Sequence, residues 1–156
     1  AEIDLRGHRL DLPASAEVQE ARLGESIRIR GFELSSDTIK PGEDLALTLY
    51  WQRDGAIDKS YKVFAHLVDA SHAIRAQRDA IPVEGGYPTN RWLPGEVVED
   101  RYVIHVSDDT PSGDYKLLVG MYDPQGDMPR LPLVSDQGVR QPDDALELDV
   151  IVRVAP

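Results

Sequence analysis

The sequence predicts an all-β, antiparallel sandwich of immunoglobulin or fibronectin III type, folded as a single domain. Three observations carry that expectation. Apolar residues recur with period two through most of the chain, Pro-Gly corners stand before several of the alternating segments, and helical periodicity is nearly absent. At 156 residues the chain has the length of one ordinary domain, and no apolar run approaches a transmembrane span.

Taken in order, residues 1–16 read as an N-terminal arm or linker and 17–156 as the sandwich. Ala14 to Leu23 holds a capping serine, Ser15, but Val18 and Leu23 make no apolar helical stripe, so the stretch reads as a lead-in to a first strand. Strands are expected over Ser26 to Leu34, Leu45 to Gln52, Tyr61 to Asp69, Ala73 to Asp79, Val97 to Val106, Tyr115 to Tyr122 and Ala145 to Val154. The alternation is clearest in Leu45, Leu47, Leu49 and Trp51, which a strand places on one face, with Ala46, Thr48, Tyr50 and Gln52 on the other. In the last strand Leu146, Leu148, Val150, Val152 and Val154 make the buried set.

Pro41-Gly42-Glu43, Pro94-Gly95-Glu96 and Pro111-Ser112-Gly113-Asp114 are the corners. Proline presets φ at the second turn position and glycine accepts the positive φ that follows. Tyr115, directly after the third corner, suits a tyrosine corner whose hydroxyl bonds backbone upstream. Residues 124–130 and 135–144 read as polar loops.

Charge and composition remove several functions. A net charge of −11 repels nucleic-acid backbone and anionic bilayers, so neither nucleic acid nor direct membrane insertion is expected. With no cysteine there are no disulfides, thiolate nucleophiles or thiolate metal sites. No cofactor and no metal is expected. The four histidines form no metal-ligand pair, Gly24-Glu25-Ser26 lacks the second glycine of a hydrolase elbow, and phosphate-binding glycine loops are missing. Two carboxylates across a cleft could hydrolyse a glycoside, with Asp69 and Asp123 at strand ends as an example. Asp123-Pro124-Gln125-Gly126-Asp127 loosely resembles a calcium loop but misses the EF-hand ligand order and its closing glutamate, so it reads as solvated loop carboxylates. No residue is expected to be catalytic.

The candidate ligand-binding residues are Tyr87, Arg91, Trp92 and His66. The first three lie in the long connection Gly85 to Gly95, where such side chains can stack on and hydrogen-bond a sugar or a peptide. A structural use competes, with Trp92 closing an end of the core and Arg91 pinning the loop. His66, in Phe64-Ala65-His66-Leu67-Val68, is either a ligand contact or a half-buried histidine bonded to backbone.

Gly31-Phe32-Glu33-Leu34, Pro41-Gly42-Glu43 with Leu47 to Gln52, Val63 to Asp69, Tyr87 to Glu96 and Gly113 to Asp123 form an ordered set of strand and turn motifs. Over residues 17–134 this set resembles the C-terminal soluble domain of bacterial polytopic membrane proteins related to dolichyl-phosphate-mannose protein mannosyltransferases, which are lipid-linked-sugar glycosyltransferases. The resemblance implies an extracytoplasmic accessory or interaction domain of the cell envelope, partnered by the membrane portion of the same polypeptide, where any transferase chemistry would reside. The missing start methionine fits an excised fragment of that kind. A carbohydrate-binding module, taking a glycan or peptide, is the alternative function, and a hydrolase the third.

Overall fold

The structure, a computed structural model, describes residues 11–156. The first ten residues of the expected arm lie outside the described residues. Ten strands follow: β1 Glu17–Leu23, β2 Ile27–Leu34, β3 Thr38–Ile39, β4 Asp44–Arg53, β5 Lys62–Val68, β6 Ile74–Ala80, β7 Val97–His105, β8 Gly113–Tyr122, β9 Leu133–Ser135 and β10 Leu146–Val154. They form two five-stranded sheets, ordered β7-β4-β2-β1-β9 and β3-β10-β8-β5-β6. All pairings are antiparallel except the short β3–β10 contact. The all-β sandwich expected from the sequence is therefore present.

The inner faces follow the alternation. Leu45, Leu47, Leu49 and Trp51 of β4 meet Val63, Ala65 and Leu67 of β5 and Leu117, Val119 and Met121 of β8 in one continuous core. Leu146, Leu148, Val152 and Val154 complete it from β10, with Val150 packed at its margin. The Tyr115 hydroxyl donates to the Pro111 carbonyl at 2.7 Å and closes the corner before β8. Gly42 and Gly95 hold φ of +89° and +76°, the turn conformation their proline predecessors set up.

Three elements depart from the sequence reading. Ala14 to Leu23 is more than a lead-in, because β1 begins at Glu17 and pairs with β2 and β9. A register shift between Val18 and Ala21 breaks its alternation, which hid it. The short strands β3 and β9 fall in stretches too brief for a periodic signal, and β9 and its flanks put residues 124–144 to use as a wrap between the two sheets.

Asp100 is a fully buried carboxylate. Asp100 of β7 points inward and accepts hydrogen bonds from Trp51 Nε1 at 3.0 Å, the Tyr102 hydroxyl and the Val83 amide. Burial pushes its carboxyl up, against the pull of those three donors.

Candidate functional site

The outward face of the second sheet does not simply face water. A cleft of about 790 Å³ lies over β5, β8 and β10, walled by residues 135–143 and the start of β1. Its floor comes from alternate positions of the strands, Phe64, His66 and Val68 of β5 beside Lys116 and Leu118 of β8. These are the residues that face away from the core, since Val63, Ala65 and Leu67 fill the other side.

Phe64 lies flat against the sheet because its cross-strand partner is Gly120. A Cβ at Gly120 would stand 2.5 Å from Phe64 Cζ, so only glycine admits the ring. The guanidinium of Arg130 covers the opposite face of the ring, 4.1 Å from its centre. Phe64 is thus closed off, and Arg130 takes its place at the cleft surface. Arg130 also donates to the Asp143 carbonyl at 2.9 Å, joining the floor to the wall.

That wall is held in an unusual backbone conformation. Asp143 and Asp144 are both left-handed, with φ of 56° and 52°. Arg140 grips the Asp144 carboxylate with two nitrogens, and the Leu133 amide donates to the same carboxylate. The Arg140 bond leads in holding the Asp144 carboxyl below its ordinary range.

At the other wall, Gln19 of β1 reaches across to the second sheet. Its amide donates to the Glu147 carbonyl at 2.9 Å and accepts from the Asp149 amide at 2.7 Å. These are backbone groups that the register shift in β10 between Glu147 and Ile151 withdraws from the β8 ladder. The side chains of Glu147 and Asp149 border the cleft beside this clasp.

The lining mixes apolar and polar groups. Val68, Ile74 and Leu118 alternate with His66, His72, Lys116, Gln141 and the carboxylates of Glu20, Asp136, Asp143, Glu147 and Asp149. Five carboxylates face two full cations, Lys116 and Arg130, so the cleft disfavours an anion. It suits a ligand with many hydroxyls, which carboxylates and imidazoles bind as acceptors.

Of the four candidate binding residues, only His66 lies here. The residue is 8% exposed and among the described residues bonds no backbone group; Nε2 stands 3.6 Å from Asp79 Oδ1. Burial lowers its pKa, opposed by Asp79. Tyr87 and Trp92 come together elsewhere. Trp92 is fully buried and donates from Nε1 to the Tyr87 carbonyl at 2.9 Å. The Tyr87 hydroxyl donates to Glu96 at 2.6 Å, and burial first, then Glu96, pushes it up to about 12. Arg53 donates to the Trp92 carbonyl at 2.6 Å, so the ring serves the core and offers no stacking face. Arg91 is exposed and lies in a short 3₁₀ turn, Thr89–Arg91.

The paired-carboxylate idea is corrected by topology. Asp69 and Asp123 follow opposite ends of the antiparallel β5–β8 pair, where Val68 lies opposite Lys116 and Tyr122 opposite Lys62, about 20 Å apart along the strands. Asp69 instead caps its own turn, bonding Ser71, Ala73 and Arg75. Asp123 accepts from Lys59 and the Gln125 amide. Among the described residues, no group of three or more histidines or carboxylates is placed to hold a metal ion, and no helix is long and apolar enough to cross a membrane.

No protein-family model matches the chain, and no curated protein matches it. Among solved structures, the crystal structure of the C-terminal domain of wzt superposes with a TM-score of 0.61 at 15% identity, covering 91% of this chain and 81% of that one. The likeness is one of fold. It nonetheless corrects the family reading from sequence, since the neighbour is a different protein from the glycosyltransferase-related membrane proteins. The motifs behind that reading are turn and strand chemistry: Gly42 and Gly95 make sandwich turns, and Tyr87 to Glu96 packs a core edge. The extracytoplasmic accessory role rested on the same resemblance and falls with it.

Proposed function

We propose that this domain is a carbohydrate-recognition module that binds a neutral saccharide in the cleft over β5, β8 and β10. The observation that carries the reading is the lining itself, in which carboxylates, amides and imidazoles from the strands and from the 135–143 wall alternate with small apolar surfaces. Saccharides present that alternation of hydroxyl edge and C–H face, and a pre-formed site loses little entropy in meeting it. The excess of carboxylates favours neutral sugars over acidic ones. Binding rather than catalysis is the fitting task, because the strand-end carboxylates Asp69 and Asp123 are far apart and engaged in their own turns.

An array of neutral and acidic oligosaccharides tests this reading. The wild-type domain should retain a subset of the neutral ones, and Leu118→Trp, which fills the cleft from its floor, should lose them while keeping the wild-type melting temperature. Retention of acidic glycans only, or equal retention by Leu118→Trp, would overturn it.

A further inference from the structure

Three groups on the outward face of the second sheet form a chain that the cleft's general chemistry does not require. The Tyr122 hydroxyl donates to Asp79 Oδ2 at 3.1 Å. Asp79 Oδ1 is buried with no hydrogen-bond partner among the described residues, and the His66 Nε2 stands 3.6 Å away, just beyond bonding distance. A buried carboxylate oxygen without a donor is costly, and the imidazole N–H is the group poised to satisfy it. The strands account for the placement, since Phe64 lies opposite Asp79 and His66 opposite Gln77, so Asp79 approaches the imidazole diagonally.

The consequence concerns the other ring nitrogen. His66 lines the cleft, and Nδ1 makes no hydrogen bond among the described residues. We propose that Asp79, oriented by Tyr122, holds His66 in the Nε2–H tautomer and that the bare Nδ1 is the acceptor that reads a hydroxyl of the bound saccharide. Asp79 and Tyr122 are positioning residues, and His66 makes the contact. The proposal rests on the saccharide reading of the cleft and adds to it the identity of one reading atom and its proton state.

A pH dependence follows. Protonated, His66 donates from both nitrogens and can no longer accept from a hydroxyl. The groups around the ring are Asp79 and Gln77 from β6, Leu118 and Lys116 from β8, Arg130 from the 123–132 segment and Glu147 from β10, the last paired with Lys116 at 3.3 Å. Asp79 favours the charged ring, while burial and Arg130 disfavour it, and burial is the largest of these. Burial therefore keeps the ring neutral further into the acid range than a free imidazole, and the acceptor is lost only as pH falls through this lowered pKa.

Long-range ¹⁵N–¹H NMR of the histidine rings in the whole protein reads the tautomer directly, with or without ligand. At pH 8, His66 should show a protonated Nε2 and a bare Nδ1. Asp79→Asn should reverse this, because Tyr122 keeps the amide oxygen and turns the NH₂ toward Nε2. A protonated Nδ1 in the wild type, or an unchanged tautomer in Asp79→Asn, overturns the proposal and leaves the saccharide reading intact. The second readout is binding of mannose-, galactose- and glucose-terminated oligosaccharides at pH 8 and at a pH about one unit below the His66 titration midpoint, which the same NMR experiment measures. Affinity should fall about fivefold at the lower pH, the loss of one hydrogen bond, and the fall should vanish in Asp79→Asn. Binding that is equal at both pH values overturns the proposal. Failure of every oligosaccharide to bind overturns the saccharide reading, and the ligand half of this proposal with it, even where the tautomer is as expected.

Discussion

Trp51 Nε1 and Asp100 Oδ2 stand 3.0 Å apart inside the sandwich, joining adjacent strands of one sheet through their inward side chains. The same carboxylate accepts from the Val83 amide at 2.8 Å. Val83, a β-branched residue at φ 57°, begins a left-handed run that continues through Glu84 and Gly85. Asp100 thereby ties the loop after β6 to the core in a conformation its sequence disfavours.

Asp100→Ala should cost about 3 kcal/mol or more, because it strands a buried indole N–H, a backbone amide and a hydroxyl together. Denaturant unfolding of the variant checks this. A loss below about 1 kcal/mol would mean that the three donors find other partners.

Trp92→Ala should cost roughly 3 to 5 kcal/mol, as expected for a fully buried ring. Arg91→Ala, on the exposed side of the same turn, should be nearly neutral. Calorimetric melting of the pair separates the structural part of the Gly85 to Gly95 connection from the part left for contacts.

Tyr115→Phe should cost about 1 to 3 kcal/mol, since the Pro111 carbonyl loses its 2.7 Å donor while the ring stays packed. Unchanged denaturant stability would show that water replaces the hydroxyl without cost.

Acid stability should depend on Asp144. Its folded pKa lies below the ordinary value of 3.8, so its contribution is fully present above that value and is lost as pH falls through the folded pKa. Asp144→Asn should lower the melting temperature at pH 6 more than at pH 2. Asp100 acts with the opposite sign: its raised pKa favours the folded state at low pH, and that advantage fades as pH rises above 3.8.

Gly120→Ala should destabilise by about 1 to 3 kcal/mol and displace Phe64 toward Arg130, because the new methyl meets the ring. Loss of the upfield ring-current shifts around Phe64 in NMR spectra would report the displacement.

The sandwich was legible because its long strands are clean. Leu45, Leu47, Leu49 and Trp51 alternate without interruption, and the Pro-Gly corners sit where the chain reverses. β1 was hidden by its own irregularity, with Val18 exposed on the cleft side and only Ala21 and Leu23 in the core. The site was legible in one residue. His66 stood out as a histidine on an apolar strand, but its partner Asp79 lies on another strand, and the cleft walls come from Gln19 and Asp143, more than a hundred residues apart. Trp92 misled for the converse reason: an aromatic in an irregular connection looks available until the chain's path shows the core beneath it.

The most direct test of the account is amide chemical-shift mapping of the ¹⁵N-labelled domain titrated with an array-positive neutral oligosaccharide. The shifts should cluster on His66, Leu118, Gln141, Asp143 and Glu147, the floor and walls of the cleft. Shifts confined to the Gly85 to Gly95 connection, with those residues unmoved, would contradict it.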